Sequence, residues 1–489
     1  MKKLSIFIIV AALIVSGCSK SFYDVNTNPN TSTSASVELV LSTALKITGA
    51  RQINNMTFAS QWCGYWAPSG SYAISSSDLS SYRETTDFPE GFGLWSNAYD
   101  NLEDYDYIEK TATKNSQYFY IAAAKTMKAY QFQQLVDNFN NVPYTEALAG
   151  VANITPKYDK GKDIYEALST DLGAAVTLFQ RADAIGSSTQ DILFAGDRNK
   201  WAKFANTLRL RILIRQSQMS GRAAYIQTEI NKIVANTSGF LTADAAVNPG
   251  YSNSSGKQNP FYGSAYSVAG IFTQDFWRAN AYTVAFCNGN GDPRLGRLYA
   301  PISGGSYVGC VPGASGNPVG SLSSTWGPGV LVSVSQPAVI MGAAESYLLQ
   351  AEAALRGWLP SVNANTAFNS GVTANFAFLG LSAGAASTYT SQNNTQTNYA
   401  VCATDAQRLA CIIRQKWMAF HDVTPFEAWC DYRRTGYPAD MLLSVNPGRD
   451  ANNIPVRMLY PTVEYTTNAA NATAEGTIDH HTTKVFWNQ

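Results

Sequence analysis

The 489-residue chain carries 35 basic and 35 acidic residues, so its formal net charge is zero, and charged residues are only 14% of it against 12% aromatic. That balance leaves no electrostatic footprint for nucleic acid and suits neutral polar ligands such as carbohydrates. The length exceeds a single compact core, so either two domains or an extended repeat scaffold is expected.

Lys2 and Lys3 precede an apolar run from Leu4 to Val15, the layout of an export signal and too short for a comfortable membrane span. Ser16 and Gly17 then stand directly before Cys18, which resembles a bacterial lipobox. Residues 1–17 are therefore expected to be removed, leaving 472 of the 489 residues with Cys18 first and lipidated. Two acyl signals give stable anchoring, so a tethered, water-soluble body is expected. Residues 18–36, rich in Asn and Ser, read as a lipidated arm.

The arm leads into a helix predicted from Val37 to about Trp62, and Leu94–Thr111 reads as a second. A third, capped at Asn115 or Ser116, runs to about Asn138 with Phe119, Ala123, Met127 and Tyr130 on one stripe. Lys162–Arg181 is a fourth. The clearest helix begins near Asn199, where Trp201, Phe204, Ala205, Leu208 and Ile212 share a face, and helix continues in pieces to about Ala235. Between Asn236 and Val339 the texture turns to Gly, Ser, Pro and Asn with scattered aromatics, a loop-rich insertion with a short helix predicted at Gly270–Arg278. Helices return at Ala343–Arg356, stopped by Gly357, and at about Asp405–His421. The tail from Asn446 reads as coil with short extended pieces.

Helices of this size in succession suggest tetratricopeptide-like pairs, each burying its stripe against the next. The expected fold is mainly α: a helical-repeat scaffold over 37–489 as one domain, with a loop-rich elaborated face and few short strands. Cys63, Cys287, Cys310, Cys402, Cys411 and Cys430 lack zinc-ligand spacing. They read as buried thiols with one or two bridges, Cys287–Cys310 being the first pairing expected because loop-type sequence surrounds both.

The motifs in order resemble the SusD/RagB family of SusD-like nutrient-binding outer-membrane lipoproteins of Bacteroidetes. They are Asp24-Val-Asn-Thr-Asn-Pro-Asn30; Asp137-Asn-Phe-Asn-Asn-Val-Pro-Tyr-Thr-Glu-Ala147 with Pro156-Lys-Tyr-Asp159 and Ile164-Tyr165; and Gly196-Asp197 with Trp201 and Phe204-Ala-Asn-Thr-Leu-Arg-Leu-Arg211. Glu345-Ser-Tyr-Leu-Leu-Gln-Ala-Glu-Ala353 follows, then Gln415-Lys-Trp417, Glu427-Ala-Trp429, Arg433-Arg-Thr-Gly-Tyr-Pro438, Arg457, Tyr460-Pro461 and Glu464. Asn140 departs from the family's glycine, but Asn is the side chain best suited to a left-handed backbone, so the turn should survive. Trp201, Trp417 and Trp429 read as core anchors, and Arg209, Arg211, Arg433 and Arg434 as partners of carboxylates and helix-end carbonyls. The resemblance implies a cell-surface lipoprotein of the outer membrane that captures an oligosaccharide and delivers it, as a lid, to a SusC-like TonB-dependent transporter. Peptide cargo, a surface glycoside hydrolase and a purely structural adaptor are the alternatives.

Neither catalysis nor a cofactor is indicated. His480 and His481 lack a neighbouring Cys or carboxylate cluster of metal-site type, so no metal is expected. The glycines of Gly250–Lys257 are one position too far apart for a phosphate loop, and Gln258 stands where Ser or Thr belongs. The Asp24–Asn30 series has no glycine turn in register for calcium, and Ala35 takes the place of the closing Glu. Glu103, Asp106 and Glu109 share one helix surface rather than facing across a cleft. For binding, flat rings in polar loops can stack on sugar faces while Asn and Ser bond hydroxyls. Trp66, Tyr72, Tyr82, Trp277 and Trp326 form the candidate ligand-binding set, with Tyr282 and Tyr307 of similar type.

Overall fold

A computed structural model describes residues 35–54, 57–72 and 78–488. Cys18, the export signal at 1–17 and the Asp24–Asn30 arm lie outside the described residues. The first predicted helix is observed as α1 (Val37–Asn54) and α2 (Thr57–Trp62). Next come α3 (Ser96–Lys114), α4 (Tyr118–Phe139), α5 (Gly161–Phe179), α6 (Arg198–Arg215) and α7 (Ala223–Ala235). Helix α6 starts where its sequence says it should: the Asp197 carboxylate accepts from the free N–H groups of Asn199 and Lys200 at 2.9 and 3.1 Å. The third helix begins one or two residues later than the expected cap, because Ser116 adopts a positive φ and Gln117 occupies the cap position.

Each of α3, α4, α5 and α6 packs on the next, and α1 lies on α3. This is the helical-repeat arrangement. In α4 nearly every side chain is buried, since helices cover it on both flanks. At its end Asn140 has φ 71°, so the non-glycine turn is kept, and its Oδ1 accepts from Phe486 N at 2.7 Å.

The C-terminal half repeats the theme with α10 (Ala343–Leu355), α11 (Ala364–Phe378), α12 (Ala383–Thr390), α13 (Asp405–Phe420) and α14 (Pro425–Thr435), while α8 (Pro260–Ala265) and α9 (Ala281–Gly289) lie in the loop-rich middle. Helices α11 and α12 were not expected, because Ala, Asn, Thr and Gly dilute their apolar stripes. Local caps start them, Asn363 accepting from Thr366 N and Ser382 from Ala385 N. Gly371 then lets α11 close on α10, where a Cβ would meet Leu348 Cγ at 2.6 Å. The tail also corrects the coil expectation, with short helices at Thr462–Thr467 and Ala469–Ala474.

Among the described residues strands are few and short, in three antiparallel pairs: β1 (Trp66–Pro68) with β5 (Trp277–Ala279), β2 (Val142–Pro143) with β3 (Tyr158–Asp159), and β4 (Ala245–Val247) with β6 (Ala338–Met341). The helix predicted at Gly270–Arg278 does not form. The side-chain Oε1 of Gln274 takes the N–H groups of Phe276 and Trp277, and residues 277–279 pair across to β1. Helix starts only after Asn280, whose side chain caps Tyr282 N at 2.9 Å.

The shared motifs meet at the centre as a buried charge network. Arg211 holds Glu345 at 2.6 Å, Arg434 holds Glu352 and Asp431 at 2.6 and 2.9 Å, Lys416 holds Asp431 at 2.6 Å, and Arg215 pairs with Glu427. Trp201, Trp417 and Trp429 are core anchors, all buried. The Cys287–Cys310 bridge is absent, and all six described cysteines are free and buried. Cys310 bridges to Asn280 at the start of α9, whereas Cys287 lies seven residues along that helix, about 10 Å at 1.5 Å per residue. That exceeds the roughly 7 Å Cα reach of a disulfide. No helix among the described residues is long and apolar enough to cross a membrane.

Candidate functional site: an aromatic face built by three loops

Strand β1 fixes the first ring. In register, Trp66 opposes Ala279 and Pro68 opposes Trp277, so the loop after α2 is tied to residues 200 positions away. The Trp66 indole is buried and donates Nε1–H to Asp422 Oδ1 at 2.7 Å. Around it, Phe261 of α8 stacks at 6.1 Å with an interplanar angle of 4°, Trp277 lies tilted at 5.7 Å, and Trp326 meets it edge-on at 5.0 Å. Trp326 is buried and held by a bridge to Tyr299.

The group then runs outward. Trp277 is half-buried and meets Phe276 edge-on at 4.6 Å, and Phe276 meets Tyr72 at 5.1 Å. Tyr72 is 44% exposed. The series Trp326, Trp66, Trp277, Phe276, Tyr72 thus grades from packed core to solvent. Tyr262 and Tyr266, stacked at 4.8 Å and half-buried, stand beside Phe261 in sequence.

Close backbone approach locks these loops. Gly70 donates to Pro318 O at 2.8 Å, and a Cβ there would sit 1.9 Å from Asn317 O. Asn317 Nδ2 bonds Pro68 O at 3.1 Å, and Gly320 N donates to Ser71 Oγ at 3.0 Å. Arg278 sits behind the face, its Nε donating to Gly320 O at 3.0 Å and its Nη2 to Asp275 Oδ1 at 2.7 Å. Burial lowers the Arg278 pKa from its ordinary value. The rings are therefore held before any ligand arrives, which spares the ordering cost of binding.

Four of the five sequence candidates, Trp66, Tyr72, Trp277 and Trp326, come together here. Tyr82 does not join them. It is buried with φ 58°, its hydroxyl accepts from Ser444 N at 2.6 Å, and burial pushes its phenol up to about 12. Its carbonyl oxygen faces the Nε2 atoms of His480 and His481 at 3.2 and 3.1 Å, so it pins the tail. A polar loop sequence misled here because residues 444–450 and the tail cover it. Phe261 and Phe276 were missed: Phe lacks a polar tip and reads as core, and it takes β1–β5 pairing to bring Phe276, and the packing of α8 on Trp66 and Trp326 to bring Phe261, to the face. Of the two similar residues, Tyr282 is buried against Arg414 and Asp440. Tyr307 is half-buried over Gly296.

Behind Trp66 lies a polar chain of Asp422, His421 and Tyr299. His421 Nδ1 is 2.9 Å from Asp422 Oδ2, and His421 Nε2 is 2.7 Å from Tyr299 O–H, which donates to Tyr65 O at 2.6 Å. The imidazole and carboxylate side chains have no exposed surface, and burial raises the Tyr299 phenol well above its usual value. The chain supports the indole, and its burial keeps it from contact with a bound molecule. A cleft of about 410 Å³ between α3, α4 and α5 is lined by ion pairs. Lys125 binds Glu109 and Asp171 at 2.8 and 2.9 Å, and Lys128 binds Asp106 at 2.7 Å. Self-paired charge offers a neutral ligand little, so the aromatic face is the better site. Among the described residues no group of three or more His, Cys, Asp or Glu is placed to hold a metal.

Fold and loops together define a tetratricopeptide-like helical-repeat protein that displays a loop-built aromatic face. Residues 28–461 match the family model described as SusD-like, starch-binding and associating with the outer membrane, and the chain belongs to that family. Similar solved structures include a SusD-like protein from Bacteroides thetaiotaomicron VPI-5482, at 24% identity and TM-score 0.77, with 93% of this chain and 99% of that chain covered. A chitin-binding SusD homolog from Flavobacterium johnsoniae matches at 23% identity and TM-score 0.76, covering 93% and 98%. A protein described as chitin-binding matches at 25% identity and TM-score 0.76, covering 92% and 99%. No curated protein matches the sequence.

Proposed function

We propose that this protein captures a neutral oligosaccharide on the face formed by Tyr72, Phe276, Trp277, Trp66 and Trp326, and passes it to a SusC-like TonB-dependent transporter over which it acts as a lid. The observation that carries the reading is the gradient of that face: outer rings partly open to solvent, inner rings fixed by Asp422 and by β1–β5 pairing. Rings already fixed at a surface can stack on the apolar faces of sugars without losing rotamer freedom. The chitin-binding relatives make chito-oligosaccharides the first ligands to test, with starch fragments second given the family description.

Within this reading residues 1–17 are the export signal, Cys18 carries the lipid, residues 18–36 form the tether, and 236–339 is the elaboration that bears most of the ligand face on a single helical domain. The protein binds and does not cleave; the alternative of a glycoside hydrolase is tested in the same experiment. Purified protein is titrated with labelled chito- and malto-oligosaccharides, and the sugar is analysed afterwards. Saturable binding with intact sugar supports capture. Binding to a peptide array alone, or shortened sugar, overturns the reading. Lipidation is read separately, as loss of palmitate labelling in Cys18→Ala, and the transporter by co-purification from detergent-solubilised outer membranes.

A further inference from the structure

Helix α13 presents Gln407, Ala410, Cys411 and Arg414, spaced three or four residues apart and so on one face, to a cleft of about 300 Å³ that none of the stacked rings lines. The facing wall is the 395–396 loop, tied to the helix where Gln415 Nε2 donates to Gln396 O at 2.9 Å. A third wall follows α14. Gly436 turns the chain there with φ 72°, and Thr435 Oγ1 accepts from Tyr437 N at 3.2 Å, so that Tyr437 and Asp440 join the lining. At the base Arg414 is buried against the rings of Phe286 and Trp417, at 4.8 and 5.4 Å, and pairs with Asp440. Tyr282 O–H donates to the same oxygen, Asp440 Oδ1, at 2.8 Å. Two donors thus fix the carboxylate while its side chain stays 59% exposed, which leaves Oδ2 for the cleft. Burial opposes its charge, but Arg414 holds it below the ordinary carboxylate value. The remaining polar groups are neutral and uncommitted: among the described residues no protein group is bonded to the Thr395 hydroxyl, the Gln396 side-chain amide or Gln407 Nε2.

We propose that this cleft is a second carbohydrate site, which takes a single neutral sugar unit independently of the aromatic face. Charge selects the class. Arg414 and Asp440 cancel, so an ion finds no net opposite charge, and an anion meets the Asp440 carboxylate first. Hydroxyls suit the set: the fixed Oδ2 accepts from a sugar O–H, the amides of Gln396 and Gln407 donate to sugar oxygens, and half-buried Tyr437 offers a ring to the apolar sugar face. The volume agrees, being at the small end of the roughly 300–1,000 Å³ of ligand pockets. Because Asp440 is positioned in advance, binding carries little ordering cost. Only the choice of sugar rests on the capture reading; the place and its polarity stand on the cleft itself.

Saturation-transfer NMR on the full mature protein tests this, with glucose and N-acetylglucosamine as probes and glucuronate as the anionic control. Tyr72→Ala/Trp277→Ala is the background, because it weakens the aromatic face. In it the neutral sugars should still receive saturation. Adding Tyr437→Ala, which removes a ring, should weaken the fitted affinity about tenfold, and adding Gln396→Ala, which removes a hydrogen bond, about fivefold. The Gln396 side chain holds nothing in the protein, so Gln396→Ala folds as its background does and carries the test if Tyr437→Ala unfolds early. No saturation of either neutral sugar in the background protein overturns the proposal. So does an affinity unchanged by Gln396→Ala, or glucuronate bound as tightly as glucose. The capture reading fails on different data: oligosaccharide binding unchanged in Trp277→Ala removes the aromatic face and leaves this cleft standing, whereas binding weakened by Trp277→Ala but untouched by Gln396→Ala removes the cleft alone.

Discussion

The division between the inner and outer rings of the aromatic face yields a sharp prediction. Trp66→Ala removes a ring that is 6% exposed and orphans the buried Asp422 oxygen at the end of a 2.7 Å bond. Truncating a buried Trp costs about 3–5 kcal/mol of stability, and the unpaired acceptor adds about 1–3. Trp277→Ala removes a half-buried ring with two aromatic neighbours, at 5.7 and 4.6 Å. Each such contact is worth about 0.5–1.5 kcal/mol beyond area, so its cost in stability is only about 1–3 kcal/mol. If a sugar stacks on that ring, its loss should cost about 1–2 kcal/mol of binding, roughly 5- to 30-fold in Kd. Urea unfolding measures the first quantity and calorimetric titration with the best glycan from the array the second. The pattern expected is weaker binding with near-parental unfolding for Trp277→Ala, and strong destabilisation for Trp66→Ala. Trp277→Ala that binds as the parent does, while unfolding as early as Trp66→Ala, would refute the assignment and make the ring core packing.

Burial pushes the Glu84 carboxyl up from 4.5 to about 8. A group that holds its proton more tightly when folded gives its full stability below about pH 4.5 and loses it as pH rises towards 8. Glu84→Gln should therefore gain on the parent by on the order of 4 kcal/mol between those limits, read from urea curves at pH 5 and pH 8; a gap that stays constant excludes this. His481 behaves oppositely: burial, then His480, lower its pKa below 6.5, so its contribution is present above pH 6.5 and fades as pH falls. Protection factors of the 478–485 tail, exchange being referred to the intrinsic rate at each pH, should fall at pH 5, and less so in His481→Asn. Arg434→Met takes one buried cation from Glu352 and Asp431, leaving them Arg356 and Lys416, and should cost about 3 kcal/mol, the low end for a broken buried pair, whereas replacing only the exposed Lys162, paired with Glu166 at 3.6 Å, should shift the unfolding midpoint very little. Asn140→Ala forces a Cβ residue lacking Asn's local bonding into φ 71° and drops the bond from Phe486 N. A loss of about 1–2 kcal/mol is expected from thermal unfolding.

Much of the scaffold was legible in the sequence because its signals are local. The stripe of Trp201, Phe204, Leu208 and Ile212 repeats at helical spacing, and Asp197 caps its own helix within three residues. At Asn140 the family resemblance pointed to a turn that favours glycine, and Asn keeps the positive φ there. The same local logic failed where a distant partner decided the outcome. Residues 270–278 carry enough apolar side chains for a helix, yet β1 captures 277–279 as a strand. Residues 364–378 look too polar, yet Gly371 lets them close on Leu348.

For the face, sequence supplied the kind of residue and the tertiary structure chose the members. Aromatic rings in Gly- and Ser-rich loops at 62–72 and 277–326 pointed to Trp66, Tyr72, Trp277 and Trp326, since flat rings among polar loop residues suit stacking on sugars. Contact between loops some 200 residues apart then decided which rings meet: it added Phe261 and Phe276, and it removed Tyr82, whose hydroxyl is taken by Ser444 N. Cysteine pairing shows the same split. Loop-type sequence suggested Cys287–Cys310, while helical rise along α9 keeps the two apart and leaves both thiols free. Sequence by itself determined the strongly striped helices and the aromatic, polar-loop character of the face, because those depend on neighbours within a few residues. Which side chains share a surface depends on how far-separated backbone segments pair, and that only the folded chain decides.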